Sequence, residues 1–127
     1  MTNQPITVMY KWTAKPGKLD QLKQIYSHVT EAMKQNEPDT SAVHCYISEK
    51  ENALYVRDEF QGAGAVAFHL QKTAGPHFGD LLEIAVPGPF FFLGDVPTEI
   101  QQATEQMGLG AEFATHVFGF ERESAQA

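Results

Sequence analysis

LYVRDEFQGAGAVAFH, residues Leu54 to His69, changes its period halfway. Leu54, Val56, Asp58 and Phe60 alternate with Tyr55, Arg57 and Glu59, which is the period of a strand with one buried face. Gly62 and Gly64 mark a break, and the small residues after it read as a short helix from Gly62 to Gln71. Asp58 thus sits near the end of a strand, with His69 eleven positions later on the next helix. A carboxyl and an imidazole delivered to one neighbourhood by adjacent elements make a candidate acid–base pair.

Working back from this stretch, Ala53–Phe60 is a third strand and Glu49-Lys50-Glu51-Asn52 is a polar turn of hairpin length. Ser41–Ser48 is the second strand, with Val43, Cys45 and Ile47 in its apolar phase and His44 and Tyr46 opposite. Cys45 is therefore expected to be a buried thiol. Leu19, Leu22, Ile25, Tyr26, Val29 and Met33 recur at helical spacing between Lys18 and Gln35, and His28 falls on the solvent side. Glu37-Pro38-Asp39 ends that helix, because proline disfavours a helical residue before it. The first strand, Ile6–Thr13, points Ile6, Val8, Tyr10 and Trp12 one way.

Working forward, Thr73-Ala74-Gly75-Pro76 is expected to interrupt the helix, which resumes from His77 to Val86. PFFFLG, from Pro89 to Gly94, is a fourth strand. Thr98 caps a further helix to Met107; Gly108 and Gly110 stop it, and Thr115–Glu121 is a fifth strand, with His116 on it. The final residues, ESAQA, are expected to fray. The order βαββαβ predicts an α+β, ferredoxin-like antiparallel sheet with helices on one face and an extra C-terminal helix and strand.

Composition sets the broad class. A chain of 127 residues, 43% hydrophobic and 20% charged, fits one globular domain. Its core spans about 6–94, with 95–127 as an extension. The formal charge of -7 argues against nucleic acid or an anionic membrane as partner. One cysteine excludes an intrachain disulfide and suggests a reducing compartment. No apolar run spans a bilayer, and MTNQPITVMYKW lacks a signal-peptide pattern. The expectation is a cytoplasmic protein.

Met9, His44, Tyr46, Tyr55 and Arg57 point to the sheet face that the helices leave open. Aromatic residues, Met and Arg on such a face are the composition of an interface, so a homodimer packed through that face is expected.

Asp58, Phe60, Ala65 and His69 also carry a resemblance, as do Lys15-Pro16-Gly17-Lys18 and Glu37-Pro38-Asp39-Thr40. On these residues the chain resembles the antibiotic biosynthesis monooxygenase family of dimeric α+β barrel proteins, over about residues 6–94. The family's acid is usually glutamate, here the shorter Asp58. His77-Phe78 stands where a second aromatic–histidine element falls. The resemblance implies a cofactor-independent monooxygenase that oxidises a small aromatic or quinol-like metabolite with O2, using no metal or flavin.

For that chemistry His69 is the candidate base, because an unperturbed imidazole titrates near neutral pH. Asp58 would orient its ring and stabilise its cation. Trp12, Phe60, Phe68 and Phe78 would form flat walls for an aromatic substrate, with Tyr10 or Tyr46 bonding an oxygen. The same residues also fit plainer roles: Asp58 as a cap of the next helix, His69 as a hydrogen-bonded core histidine, the aromatics as core. No HExxH, CxxC, GxGxxG, Walker or GxSxG element is present, and His69 and His77 are not spaced as metal ligands on one helix. Haem degradation, with His77 as ligand, ranks lower, since that branch uses a first-strand asparagine and a second-helix tryptophan that this chain lacks. A noncatalytic ligand-binding barrel and a nonoxidative isomerase are the remaining alternatives.

Overall fold

The computed structural model describes residues 4–122. β1 (Ile6–Ala14) leads to α1 (Leu19–Asn36), β2 (Thr40–Ser48) and β3 (Ala53–Phe60). The chain then coils continuously through α2 (Ala63–Phe68), a π-helical segment (His69–Ala74) and α3 (Gly75–Ile84). β4 (Ala85–Leu93), α4 (Thr98–Gln106) and a short β5 (Glu112–Ala114) follow. One five-stranded sheet has the order β2-β3-β1-β4-β5. Its first four strands are antiparallel neighbours, and β5 runs parallel to β4. This is the ferredoxin-like α+β arrangement expected from the sequence.

The period of the strands explains the core. Ile6, Val8, Tyr10 and Trp12 of β1, Leu54, Val56 and Phe60 of β3, and Phe90 and Phe92 of β4 are buried on one face. Leu22, Tyr26, Val29 and Met33 of α1, with Val66, Leu81 and Ile84, close over them. Asp58 shares the phase of Val56 and Phe60, so the strand carries it into the same apolar layer, 1% exposed.

Several expectations are corrected. Thr98 does not cap α4: Pro97 holds the cap position, Thr98 is the first helical residue, and no side chain bonds there. Gly75-Pro76 does not interrupt the second helical stretch: the π segment widens the coil just before it, and Pro76 falls in the first turn of α3. The Gly75 N–H reaches back five residues to the Leu70 carbonyl, and this wider π turn is where the continuous coil takes up a proline that has no N–H to give. That stretch also ends at Ile84, so Val86 belongs to β4. β4 therefore begins earlier than expected and carries Pro87-Gly88-Pro89, with a cis bond between Gly88 and Pro89. β1 shifts register there, between Tyr10 and Trp12, which accommodates prolines lacking ladder donors.

The fifth strand is not Thr115–Glu121 but Glu112–Ala114, pairing with Phe91–Leu93. β4 ends at Leu93, so no backbone remains for a longer β5 to pair with. Val117, Phe118 and Phe120 consequently lie exposed. Cys45 is exposed rather than buried, because β2 is the edge strand with a neighbour on one side only. The frayed end expected at ESAQA lies outside the described residues. No helix among the described residues is long and apolar enough to cross a membrane.

Gly94 holds the end of β4 against β1. Its φ is +135°, and an added Cβ would lie 2.9 Å from the Pro5 carbonyl oxygen. Replacing Gly94 with Ala is expected to cost about 1–3 kcal/mol of stability, read as a lower thermal midpoint by circular dichroism.

Candidate functional site

The site starts from three positions that separate elements bring together. Asp58 enters from β3, Tyr10 from β1 and Tyr26 from α1. Tyr10 lies directly across from Val56, which places it diagonal to Asp58 on the same face. The Tyr10 hydroxyl donates to Asp58 Oδ2 at 3.0 Å and lies 2.5 Å from the Tyr26 hydroxyl. Since Tyr10 has one proton and gives it to Asp58, Tyr26 donates to Tyr10.

His69 opens the π segment. α2 leaves Phe68 on the outside, 41% exposed, while His69 turns inward, 5% exposed. Its Nδ1 lies 3.0 Å from Glu37 Oε2, and the Thr40 hydroxyl donates to Glu37 Oε1 at 2.7 Å. The Phe60 ring rests against the imidazole, with ring centroids 5.5 Å apart. The orienting role expected of Asp58 therefore falls to Glu37, at the end of α1. Asp58 is not the cap of α2 either: Gly62 occupies that position, and no side chain bonds there.

These groups border one hollow of about 40 Å³ between sheet and helices. Tyr10, Trp12, Phe60, Asp58, His69, His77 and Phe78 all line it, as do Met107 and Leu109 of the C-terminal extension. Phe68 and Tyr46 do not. Phe68 faces an outer cleft beside Glu37, and Tyr46 stands half-exposed on the opposite sheet face, because its strand phase is the outward one. The hollow is almost wholly apolar, with Phe90 stacked on Tyr10 at 5.0 Å and Phe78 edge-on to Trp12 at 5.9 Å. A space of this size takes a few water molecules. An aromatic guest needs several times more room, so its entry requires lining side chains to move.

Burial sets the charge states. Desolvation raises the Asp58 carboxyl from 3.8 to about 6, against the opposing pull of His69 and the Tyr10 hydrogen bond. Asp58 can thus carry a proton near neutral pH. Desolvation also pushes Glu37 up, but hydrogen bonds from His69, Thr73 and Thr40 outweigh it and hold that carboxylate below its ordinary value. Tyr10 is raised well above the usual phenol, first by burial and then by the Asp58 charge, and so stays a neutral donor. Among the described residues, two buried side-chain polar atoms have no partner: Asp58 Oδ1 and Trp12 Nε1. Both residues border the hollow, and buried polar atoms of this kind call for a water or a bound polar group.

In the sequence Tyr26 stands out only as part of a helix, and Glu37 and Thr40 only as part of a turn, none of them as a site residue. Glu37 was legible in one respect: it falls four residues beyond Met33 and continues the buried stripe of Leu22, Tyr26, Val29 and Met33. The extension's Met107 and Leu109 had no such signal.

No protein-family profile matches the chain, and no curated protein matches it. Solved structures do. MupZ from Pseudomonas fluorescens superposes with a TM-score of 0.78 at 16% identity, covering 98% of this chain and 100% of that one. A candidate antibiotic biosynthesis monooxygenase from Caulobacter crescentus gives 0.66 at 16% identity, covering 75% and 92%. SnoaB, a cofactor-independent oxygenase from Streptomyces nogalater, gives 0.61 at 14%, covering 74% and 95%. The chain has the fold of these antibiotic biosynthesis monooxygenase-type structures.

Asp58 carries a cost of stability. Its folded pKa lies above the unfolded value, so the penalty is full above about pH 6 and fades as pH falls toward 4. Replacing Asp58 with Asn is expected to stabilise the protein by about 1–3 kcal/mol at pH 8 and very little at pH 4. Thermal midpoints of the two proteins at both pH values check this.

Proposed function

We propose that the protein is a cofactor-independent monooxygenase that uses O2 on a small aromatic or quinol-like molecule. One observation carries the reading: a carboxylate-backed imidazole borders the same apolar hollow as a partnerless carboxyl oxygen and a partnerless indole N–H. The fold shared with SnoaB supports it. In this reading His69 takes a phenol proton on Nε2, the nitrogen turned away from Glu37. The anion so formed is electron-rich enough to reduce O2, so the substrate itself supplies the electrons. Trp12 Nε1–H and a protonated Asp58 stabilise negative charge developing on oxygen. Phe60, Phe78 and Trp12 line the space with apolar surface that disfavours water, and His77 borders the same space.

Replacing His69 with Ala is expected to leave the circular dichroism spectrum intact and abolish enzyme-dependent oxygen uptake with a polycyclic phenol or hydroquinone. Unchanged uptake, read with an oxygen electrode, removes His69 from the mechanism.

A second reading is favoured by Asp58 itself. A carboxyl raised to about 6 is a proton donor, and with His69 as acceptor the hollow holds both halves of a nonoxidative proton transfer such as an isomerisation. Deuterium entering an enolisable ketone from D2O, with no oxygen consumed, would select that chemistry over the oxygenase.

The open sheet face fits a second copy of the chain. Met9, Tyr46, Tyr55 and Phe91 are between 37% and 51% exposed around a groove that Lys11 and Arg57 also line. An exposed apolar patch of this kind on an antiparallel sheet suits a two-fold interface. Light scattering is expected to give a dimer mass, and replacing Tyr46 with Glu is expected to shift it toward the monomer.

A further inference from the structure

The Glu37–His69 pair lies between two spaces. His69 borders the inner hollow, and Glu37 and Thr40 border an outer cleft of about 370 Å³ formed with Asp39, Gly64 and Phe68. The two spaces share no lining residue. What joins them is a chain of hydrogen-bonding atoms: His69 Nδ1 to Glu37 Oε2 at 3.0 Å, and Glu37 Oε1 to the Thr40 hydroxyl at 2.7 Å. The Glu37 side chain is 2% exposed, so solvent does not reach it freely; Thr40 is only part-buried.

We propose that Glu37 and Thr40 form a proton passage that connects His69 to the solvent of the outer cleft while the inner hollow stays closed. The proposal rests on His69 being the base. As His69 accepts a proton on Nε2, its Nδ1 proton moves to Glu37 Oε2. The carboxyl then turns to carry that proton from the imidazole side to the Thr40 side; the Thr40 hydroxyl, which donates to Glu37 at rest, swings its own proton to cleft water, and its oxygen takes the carboxyl proton in exchange. One proton enters at Nε2, one leaves at Thr40, and no electron moves. The reverse passage restores Nδ1–H once Nε2 returns its proton to the reacting molecule. Glu37 and Thr40 are thus positioning residues that act through His69. The other ionisable groups around the pair are Asp58 and His77 on the inner side and Asp39 on the outer.

The test follows the His69 Nδ1 proton in the full-length protein, with no substrate present. Its resonance in 15N-labelled protein is assigned by its loss in the His69→Gln variant, and its exchange with water is measured against acetate concentration. The wild-type rate is expected to rise with acetate. Thr40→Val should slow exchange about tenfold or more and abolish the acetate dependence, and Thr40→Ser should restore both. Gly64→Leu gives an independent check, because Gly64 lines the cleft and a Cβ added there meets nothing within 4 Å; the larger side chain should occlude the cleft and slow exchange with the thermal midpoint preserved. Wild-type exchange rates in folded Thr40→Val, or in Gly64→Leu should Thr40→Val not fold, overturn the passage. That outcome leaves His69 as a base, and absence of oxygen uptake leaves the passage standing, so the two ideas fail separately.

Discussion

The bond between Glu37 and His69 ties the end of the first helix to the middle of the second helical stretch, and the site depends on it. Both side chains are buried, so each has lost its water and relies on the other. Removing one partner of such a hydrogen bond costs about 1–3 kcal/mol, because the buried group left behind has no replacement solvent. The bond fixes the imidazole plane and the π segment that begins at His69. That segment sets the direction of α3, whose His77 and Phe78 form one wall of the hollow.

Opposite this pair, Asp58 shows the same physics with the opposite result. Among the described residues only the Tyr10 hydroxyl bonds its carboxyl, so desolvation dominates and the proton is held more tightly. Glu37 gathers three donors and stays ionised. Two carboxyls in one interior are thus driven apart in proton affinity by the number of donors each finds, one raised toward neutrality and one held ionised. A carboxyl kept at a cost to stability, with one oxygen unpartnered, fits a functional group better than a structural one.

Much of this was legible in the chain. Period-two alternation placed Asp58, Tyr10 and Trp12 inward, and β3 runs from Ala53 to Phe60 as its pattern suggests. Helical spacing defined α1. Less legible was anything that depends on a neighbour. Gly75-Pro76 reads as a break, yet a wider turn beforehand absorbs it. Val117, Phe118 and Phe120 look like strand, yet β4 has already ended where they would pair. Phe68 is apolar and adjacent to His69, but a helix turns consecutive residues about 100° apart, so one faces out while the other faces in.

Local periodicity by itself determined the order of elements, the buried face of the sheet and the inward aim of Asp58, because each depends only on residues a few positions apart. Which carboxylate meets His69 was decided by the tertiary structure, since Glu37 and His69 are 32 residues apart and meet only when α1 and the π segment pack on one sheet. The same holds for the closure of the hollow by Met107 and Leu109: their contact with the core follows from the path of the extension across the fold, and no short-range pattern encodes that path.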